Sequence, residues 1–353
     1  MLLTSFVGEG GGGAMQLVTL TMMEAQLGAD GLRLLLSAPH CAAESSGSSA
    51  PGLRQDTPAV AIPHALGGLR GLDLGGNAVG DIGVRVLAAA LRDKARGSGE
   101  FGSLEMLGLS GNKIGPDGGR ALGAVLREGA LPNLQELDLR GNLVAEKGAV
   151  AVLGALKSAS GVSGSEREAG LPNLRRLYLQ DNYSIGVEGA RALAAALIVH
   201  GALEEVDLGK SQIGPEGAKA LGSALEQNAT LRTLGLERCA VREDGARYLA
   251  KMLERNSTLE TLRLGRNGIG DRGCFALAPA LASNRTLQII DLRTNNIGTE
   301  GAKSLEAALK ESNNTLRQVP LDGNKVAQDH ITAIASLAGA VRRLSKKSRG
   351  SDG

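Results

Sequence analysis

The chain has very few aromatic residues and few cysteines. Its 353 residues include three Tyr, three Phe, no Trp and three Cys. The cysteines, Cys41, Cys239 and Cys274, are odd in number and lack paired spacing, so the sequence predicts neither a disulfide framework nor a cysteine metal site. Because 42% of the residues are hydrophobic, we expect a sizeable core built from Leu, Val, Ile and Ala.

Long apolar runs and an excess of one charge are missing as well. No stretch approaches ~18 apolar residues, and no basic start followed by an apolar run precedes residue 17, so the sequence indicates neither a membrane span nor secretion. The net charge is only +2, and basic patches interleaved with aromatics are absent, which argues against a nucleic-acid partner. We expect a cytoplasmic location, with the nucleus as an alternative because of the basic residues Arg342, Arg343, Lys346 and Lys347.

What the chain does contain is one pattern, repeated along most of its length. The pattern is Leu-x-x-Leu-x-Leu-x-x-Asn-x-Ile-Gly-x-x-Gly-Ala, followed by a stretch rich in Ala and Leu. We number its positions from the first leucine, which is position 0. Copies begin at residues 69, 104, 134, 174, 203, 231, 259, 287 and 316, and the later copies are 28 or 29 residues apart. A fixed period of this size indicates supersecondary units that stack on one another and share a core.

Each copy predicts a short strand followed by a helix. In the copy that begins at Leu231, the residues Leu234 and Leu236 are two apart and point the same way along an extended segment. Further on, Ala246 and Leu249 follow the three- and four-residue spacing of one apolar helix face. The repeated part of the chain is therefore expected to be an α/β solenoid.

A second regular feature is the asparagine at position 8, which follows the strand at a turn. We predict that these amides are buried and form a structural ladder between neighbouring turns, because an unpaired buried polar group costs about 1–3 kcal/mol. Ser211 and Cys239 replace asparagine in two copies, and we expect the stack to continue through them. The predicted ladder consists of Asn77, Asn112, Asn142, Asn182, Asn267, Asn295 and Asn324.

A further set of asparagines precedes the strand of three copies. Asn228, Asn256 and Asn284 each stand three residues before a position-0 leucine. One interpretation is that they end the preceding helix in the left-handed conformation that asparagine tolerates. The other is glycosylation, since each begins an Asn-x-Thr acceptor pattern. Their recurrence in phase with the repeat favours the structural interpretation.

The repeated residues resemble leucine-rich repeats of the ribonuclease-inhibitor-like subtype, which also occur in NOD-like receptors and Ran GTPase-activating proteins. The resemblance covers about residues 69–337. It implies a horseshoe in which parallel strands line the concave face and helices line the convex face, and in which the concave face and its rims bind another protein. We divide the chain into a flexible N-terminus (1–16), a degenerate first repeat (17–37), a Ser/Pro/Gly-rich insert (38–66), the repeat domain (67–340, with a loop insert at 157–170) and a basic tail (341–353).

Positions 2, 4, 6 and 7 should face the concave side, and their residues are the candidate binding site. The middle copies are rich in acids and the later copies in arginines, which predicts an acidic centre beside a basic end. Tyrosine and arginine often anchor protein interfaces, so the two tyrosines of this region are included. The predicted protein-binding residues are Tyr178, Tyr183, Glu136, Asp138, Glu205, Asp207, Arg238, Arg263, Arg266 and Arg293.

No catalytic, metal or cofactor site emerges from the sequence. Gly209-Lys210-Ser211 resembles part of a phosphate-binding loop, but Glu204 stands where that motif needs glycine. Histidines are scattered, without metal-ligand spacing. We therefore predict a monomeric, non-enzymatic protein-binding scaffold or sensor. The alternative is an activator of a Ran-like small GTPase, implied by the resemblance and by the available arginines, although the acidic tail usual in that family is replaced here by a basic one.

Overall fold

The repeats form one open sheet with helices on one side. The computed structural model describes residues 4–9, 15–37, 68–97, 102–157, 170–311 and 315–348. The strands are β1 (Thr4–Glu9), β2 (Met15–Thr21), β3 (Gly71–Asp73), β4 (Met106–Gly108), β5 (Glu136–Asp138), β6 (Arg176–Tyr178), β7 (Glu205–Asp207), β8 (Thr233–Gly235), β9 (Thr261–Arg263) and β10 (Ile289–Asp291). The helices are α1 (Gly28–Ser37), α2 (Gly80–Gly97), α3 (Pro116–Arg127), α4 (Ala145–Gly154), α5 (Gly186–Leu197), α6 (Gly214–Leu225), α7 (Arg242–Leu253), α8 (Gly270–Ser283), α9 (Thr299–Glu311) and α10 (Gln328–Ser348).

The sheet is built in strict chain order and in phase with the repeat. Its ten strands lie in the order β1 to β10, and β2 to β10 are parallel, each separated from the next by a helix. Equivalent positions pair across strands, as in Leu234 with Leu262, and a bridge from Ile289 to Gln318 extends the pairing to the last copy. The predicted α/β solenoid of parallel strands that alternate with helices is thereby confirmed.

One continuous core runs the length of the stack. The leucines at positions 0, 3 and 5 are fully buried, as Leu231, Leu234 and Leu236 illustrate. Small helix residues let neighbouring helices approach closely: a Cβ at Gly123 of α3 would lie 2.4 Å from the carbonyl carbon of Ala151 in α4. Each buried aliphatic side chain contributes about 1.5–3 kcal/mol, so the stack is held together mainly by Leu, Val, Ile and Ala.

The position-8 asparagines lie between successive turns and bond to both. Asn142 accepts hydrogen bonds from the backbone N–H of Asn112 and of Ile114, both at 3.0 Å. Its amide nitrogen donates to the carbonyl of Leu109 in the preceding repeat at 2.9 Å. The same pattern recurs from Asn77 to Asn324. These bonds fix the register of one turn against the next.

Two successive copies interrupt this ladder. The Cys239 thiol contacts the carbonyl oxygen of Leu208 at 3.1 Å, and burial raises the pKa of this thiol to about 12, so it stays neutral. The Ser211 hydroxyl is buried and has no hydrogen-bond partner among the described residues. The stack continues through both copies, but with fewer bonds between turns.

The prediction that Asn228, Asn256 and Asn284 are left-handed helix caps is wrong. None of them has a positive φ, and Asn284 is extended, with φ −68° and ψ 136°. Instead their side chains cross to the preceding repeat. The Asn256 amide donates to the carbonyl of Leu225 at 2.7 Å and accepts from the N–H of Leu259 at 2.8 Å. Each of these asparagines therefore acts through the hydrogen bonds of its side chain and not through a left-handed backbone conformation. The burial of the three side chains also argues against glycosylation.

The described residues at both ends of the chain form regular secondary structure. Residues 1–16 were expected to be flexible, yet β1 pairs antiparallel with β2. The segment Met15–Thr21 is rich in β-branched residues, and the first repeat offers an open strand edge to pair with. At the other end α10 continues to Ser348, beyond the predicted tail boundary at 340, because the sequence there consists mostly of good helix formers. Residues 38–67 and 158–169, which include most of both predicted inserts, lie outside the described residues.

Candidate functional site

The concave face is formed by the side chains that flank the buried centre of each strand. In β6, Leu177 is buried while Arg176 and Tyr178 are half-buried on either side of it. Positions 6 and 7 follow in the turn at the carboxyl end of the strand. The predicted binding residues from Glu136 to Arg293 lie at position 2 or 4, in the strands, or at position 6 or 7, in the turns. Tyr183 is the exception and lies in the loop that leads to α5.

Tyr178 is at the centre of a polar cluster on β5 to β7. Its hydroxyl lies 3.4 Å from a carboxylate oxygen of Glu205, and the Arg140 guanidinium lies 5.3 Å from the centre of its ring. Arg176 donates to Glu136 at 2.7 Å. Burial, with the nearby carboxylates of Glu205 and Glu136, raises the pKa of Tyr178, so the phenol remains neutral and can donate a hydrogen bond.

Asp138 and Asp291, at position 4, have a structural role that the sequence did not reveal. Asp138 is buried, accepts from the backbone N–H of Arg140 at 2.9 Å and forms a two-pronged pair with the Arg140 guanidinium. Asp291 and Arg293 repeat this arrangement. Both repeats contain the sequence Asp-Leu-Arg at positions 4 to 6, and this shared sequence is the feature from which the pairing could have been predicted. Each of these carboxylates forms its hydrogen bonds within its own repeat, so few of its acceptor sites remain for a partner protein.

A depression of about 370 Å³ lies on the concave face between the repeats of β6 and β9. It exists because Gly209 and Gly235 carry no side chain: a Cβ at Gly235 would lie 2.4 Å from the Asp207 carboxyl carbon. Its charged lining consists of the cations Lys210, Arg238, Arg263 and Arg266 and the carboxylates Asp181, Asp207 and Glu237.

Charges in the depression are interleaved, which differs from the predicted acidic centre beside a basic end. Arg263 extends from β9 across the glycine of β8 and reaches Glu205 at 3.7 Å and Asp207 at 3.6 Å. Lys210 hydrogen-bonds Asp181, which raises the pKa of this lysine. The sequence pattern places each charge on the face, but the contacts between repeats determine which charges meet.

Position 7 has an unusual backbone conformation throughout the stack. Gly76, Gly111 and Gly141 occupy it in the first three full repeats, with φ between 63° and 71°. In the next four repeats the same left-handed conformation holds charged side chains: Asp181 and Lys210 at φ 63°, Arg238 at 55° and Arg266 at 59°. A side chain in this conformation costs about 1–2 kcal/mol relative to a right-handed one, so the fold itself gains nothing by replacing glycine there.

Two large side chains are exposed on the rim next to the concave face. Leu143 is 62% exposed and Tyr183 52% exposed, and they occupy equivalent positions in neighbouring repeats. The Tyr183 hydroxyl lies 3.4 Å from Asp181, which connects the rim to the depression. Exposed apolar side chains grouped beside a polar surface are typical of interaction sites.

Neither a metal cluster nor a membrane helix occurs in the described part of the chain. Within those ranges, His, Cys, Asp and Glu nowhere form a group of three suited to a metal ion. None of the helices described combines the length and apolar character needed to cross a membrane.

Comparisons with known proteins agree with the repeat architecture. Seven segments match the family model described as Leucine Rich repeat: residues 69–88, 103–123, 130–153, 170–194, 203–222, 255–278 and 283–305. No curated protein sequence matches the chain.

Several solved structures are similar in fold at low sequence identity. Leiomodin-1 actin-binding site 2 is 21% identical, with 46% of this chain and 94% of that chain covered and a TM-score of 0.38. The tropomodulin C-terminal domain of Caenorhabditis elegans is 15% identical, with coverages of 46% and 97% and a TM-score of 0.40. A protein from Bacteroides fragilis is 16% identical, with coverages of 74% and 67% and a TM-score of 0.43. Likenesses at these TM-scores carry no information about function. The seven matched segments support a leucine-rich repeat protein, and the sheet of parallel strands that alternate with helices is the α/β solenoid expected of such repeats.

Proposed function

We propose that the chain is a non-enzymatic scaffold or sensor that binds another protein through the concave face and the adjoining rim. The observation that carries this proposal is the left-handed position 7. Earlier repeats meet its backbone requirement with glycine, whereas the repeats from Asp181 to Arg266 place charged side chains there. Thr294 at position 7 and Ala78 and Ala240 at position 9 adopt the same conformation, so what distinguishes these four repeats is that the side chains held there are charged and line the depression.

Aromatic residues near the same surface support the proposal. Tyr178 and Tyr183 both lie beside the depression or its rim, and Tyr183 occupies the position equivalent to that of the exposed Leu143 in the neighbouring repeat. Large side chains surrounded by polar groups are the usual anchors of protein interfaces. Continuous parallel pairing from β6 to β9 holds the strands in a fixed register, so the surface is presented without further ordering, which favours affinity.

Finer features of the proposal come from the repeat itself. A period of 28 or 29 residues with a full helix in each unit favours the ribonuclease-inhibitor-like subtype. We propose a monomer with a cytoplasmic location, or a nuclear one as the alternative. Activation of a small GTPase would need an arginine able to reach a transferring phosphoryl group. No described contact distinguishes such a role from simple binding, so a GTP-loaded small GTPase is one partner to look for.

The test is capture of a partner by the full chain. Wild-type protein and a concave variant, Tyr178→Ala/Lys210→Ala, are immobilised and exposed to lysate of the source cells, and bound proteins are identified by mass spectrometry. We expect at least one protein to be captured by the wild type and lost from the variant. If a GTPase is among the lost proteins, its hydrolysis rate is measured next.

A matched control exists on the convex face. Lys219 lies 5.2 Å above the ring of Tyr248 on α6 and α7, so Tyr248→Ala/Lys219→Ala removes the same two residue types from the opposite side. This control should capture the same proteins as the wild type. Identical captures by the concave variant and the wild type, with both folded by circular dichroism, would sink the proposal.

A further inference from the structure

The guanidinium groups of three arginines of the depression donate no hydrogen bond to any described residue. Arg238, Arg263 and Arg266 all line it, and we call them the arginine triad. Their nearest carboxylate contacts are 3.6 to 3.7 Å for Arg263 and 3.7 Å for Arg266. Arg238 has no carboxylate within salt-bridge distance in the described ranges.

Other arginines of the same face behave differently. Arg140, Arg176 and Arg293 each donate at least one short hydrogen bond to a neighbouring carboxylate. A guanidinium has five N–H donors and is best satisfied by a planar acceptor that takes two of them at once. The arginine triad therefore places side by side guanidinium donors that no described residue accepts, whereas Arg140, Arg176 and Arg293 are paired within the face.

The carboxylates already present do not satisfy the triad. Their contacts with Arg263 and Arg266 are between partly exposed groups, and ion pairs of that kind contribute only about 0–1 kcal/mol. Lys210 is bonded to Asp181, and Asp207 accepts the N–H of Gly209 at 2.8 Å. An incoming acceptor would therefore displace little.

We propose that the arginine triad binds side-chain carboxylates of an acidic segment of the partner protein, which rests on the proposed function of the concave face. The depression opens onto that face and its lining is polar, so it suits charged side chains rather than an apolar anchor. Four cations and three carboxylates line it, and Glu205 also lies within 3.7 Å of Arg263, so the charges are close to balanced and the guanidinium groups suit the two-pronged contact of a singly charged carboxylate. A phosphate group carries about −1.5 to −2 and would be repelled more strongly by Asp181, Asp207 and Glu237.

The test uses defined peptides and the full chain. Fluorescein-labelled octaglutamate, octaglutamine and a phosphoserine peptide of equal length are titrated by fluorescence anisotropy at low and moderate salt. We expect octaglutamate to bind, octaglutamine to bind at least about tenfold more weakly, and Arg238→Gln/Arg263→Gln/Arg266→Gln to lose about tenfold or more of the octaglutamate affinity. Stronger binding of the phosphoserine peptide than of octaglutamate would overturn the choice of carboxylate.

Two control variants separate specific contacts from net charge. Arg120→Gln/Arg247→Gln/Arg272→Gln removes the same charge from exposed positions on α3, α7 and α8 and should change the affinity less than about threefold. Arg238→Lys/Arg263→Lys/Arg266→Lys keeps the charge but removes the two-pronged geometry, and this variant should bind octaglutamate more weakly than the wild type. Equal losses in the triad and helix variants would contradict the proposal.

The two proposals can fail separately. If the lysate partner depends on Tyr178 and Lys210 but is unaffected by the triple glutamine variant, the concave face binds its partner without the arginine triad, and only the carboxylate site is refuted. If no capture depends on the concave face, the proposed function itself is refuted.

Discussion

At the scale of single residues, one structural position accepts two different side chains. Asn228 donates to the carbonyl of Leu197 at 2.8 Å and accepts from the N–H of Leu231 at 2.8 Å. His200 stands at the equivalent position one repeat earlier. Its Nε2 lies 2.9 Å from the carbonyl of Leu171, and its Nδ1 accepts from the N–H of Leu203 at 3.1 Å. Only a neutral imidazole can donate with one nitrogen and accept with the other.

His200 therefore makes stability depend on pH. Burial lowers its pKa below the ordinary value of 6.5, so the unfolded chain binds a proton more readily than the folded chain. Its contribution is fully present above pH 6.5 and is lost as the pH falls towards the folded-state pKa. We expect urea denaturation midpoints of the wild type to fall between pH 7.5 and 5 more than those of His200→Asn. The asparagine keeps both hydrogen bonds but cannot titrate, and parallel midpoint curves for the two proteins would contradict this role.

The buried amide of Asn142 is expected to contribute substantially to stability. Asn142→Ala leaves the N–H groups of Asn112 and Ile114 without their acceptor, and unmet buried groups cost about 1–3 kcal/mol each. We expect a loss of about 3 kcal/mol in denaturant unfolding. Asn133→Ala is the control, because that exposed amide bonds only to Gly102 and should cost less than about 1 kcal/mol. Similar losses in the two variants would show that the ladder contributes little.

At the scale of elements, some helices are capped by the preceding repeat. Asp271 at the start of α8 accepts from the N–H of Gly298 at 2.6 Å and of Gly301 at 3.1 Å, where α9 begins. Asp81 of α2 does the same for α3 through Gly115 and Gly118. Glycine is needed there, because a Cβ at Gly301 would lie 2.5 Å from the Asp271 carboxylate. The cap therefore connects two successive helices and also provides an acceptor for N–H groups at the start of the second one.

Removal of this cap should destabilise the protein by about 1 kcal/mol, the usual cost of losing a helix N-terminal acceptor. The variant is Asp271→Ala, measured by the thermal or denaturant midpoint. Asp244→Ala is a suitable comparison, since Asp244 makes only an exposed pair with Arg247 on its own helix and should cost less than about 0.5 kcal/mol. The cap is unimportant if both variants unfold at the same midpoint.

At the scale of the whole molecule, each repeat contacts its neighbours, so stability is close to a sum of repeat and interface contributions. The ladder interruption at Ser211 and Cys239 divides the stack into an N-terminal series ending at Asn182 and a C-terminal series beginning at Asn267. The arginine triad and its depression lie across and beside this interruption. The turns beside the depression are therefore joined by fewer hydrogen bonds than the turns of other repeats. The hydrophobic core beneath them is continuous.

Hydrogen exchange should detect the interruption. In the regular series the N–H of Ile269 bonds to the Asn295 amide oxygen, whereas the equivalent Ile213 faces Cys239, which lacks an amide acceptor. The Ser211 N–H is bonded within its own turn, to the carbonyl of Leu208 at 3.1 Å. We therefore expect the amide of Ile213 to exchange faster than that of Ile269. Equal protection at the two turns, measured by exchange with mass spectrometry or NMR, would mean that the interruption has no effect on local stability.

The sequence by itself determined the period, the strand and helix halves of each repeat, the apolar core and the positions that face the concave side. These follow from local spacing, because leucines at positions 0, 3 and 5 and a helical stripe can be buried together only by stacking. Residues such as Tyr178 and Arg263 could be placed on the face by counting from the first leucine.

Only the tertiary structure decided which side chains meet. Arg263 reaches Asp207 because Gly235 leaves β8 bare between them, and Asn256 bonds to Leu225 because the preceding helix ends beside it. Both partners are about one or two repeats away in sequence, and their contact depends on strand register, side-chain length and the space left by a neighbour. Spacing along one chain carries none of these quantities, so the asparagine caps and the charge separation were mispredicted, while the repeat that supports them was not.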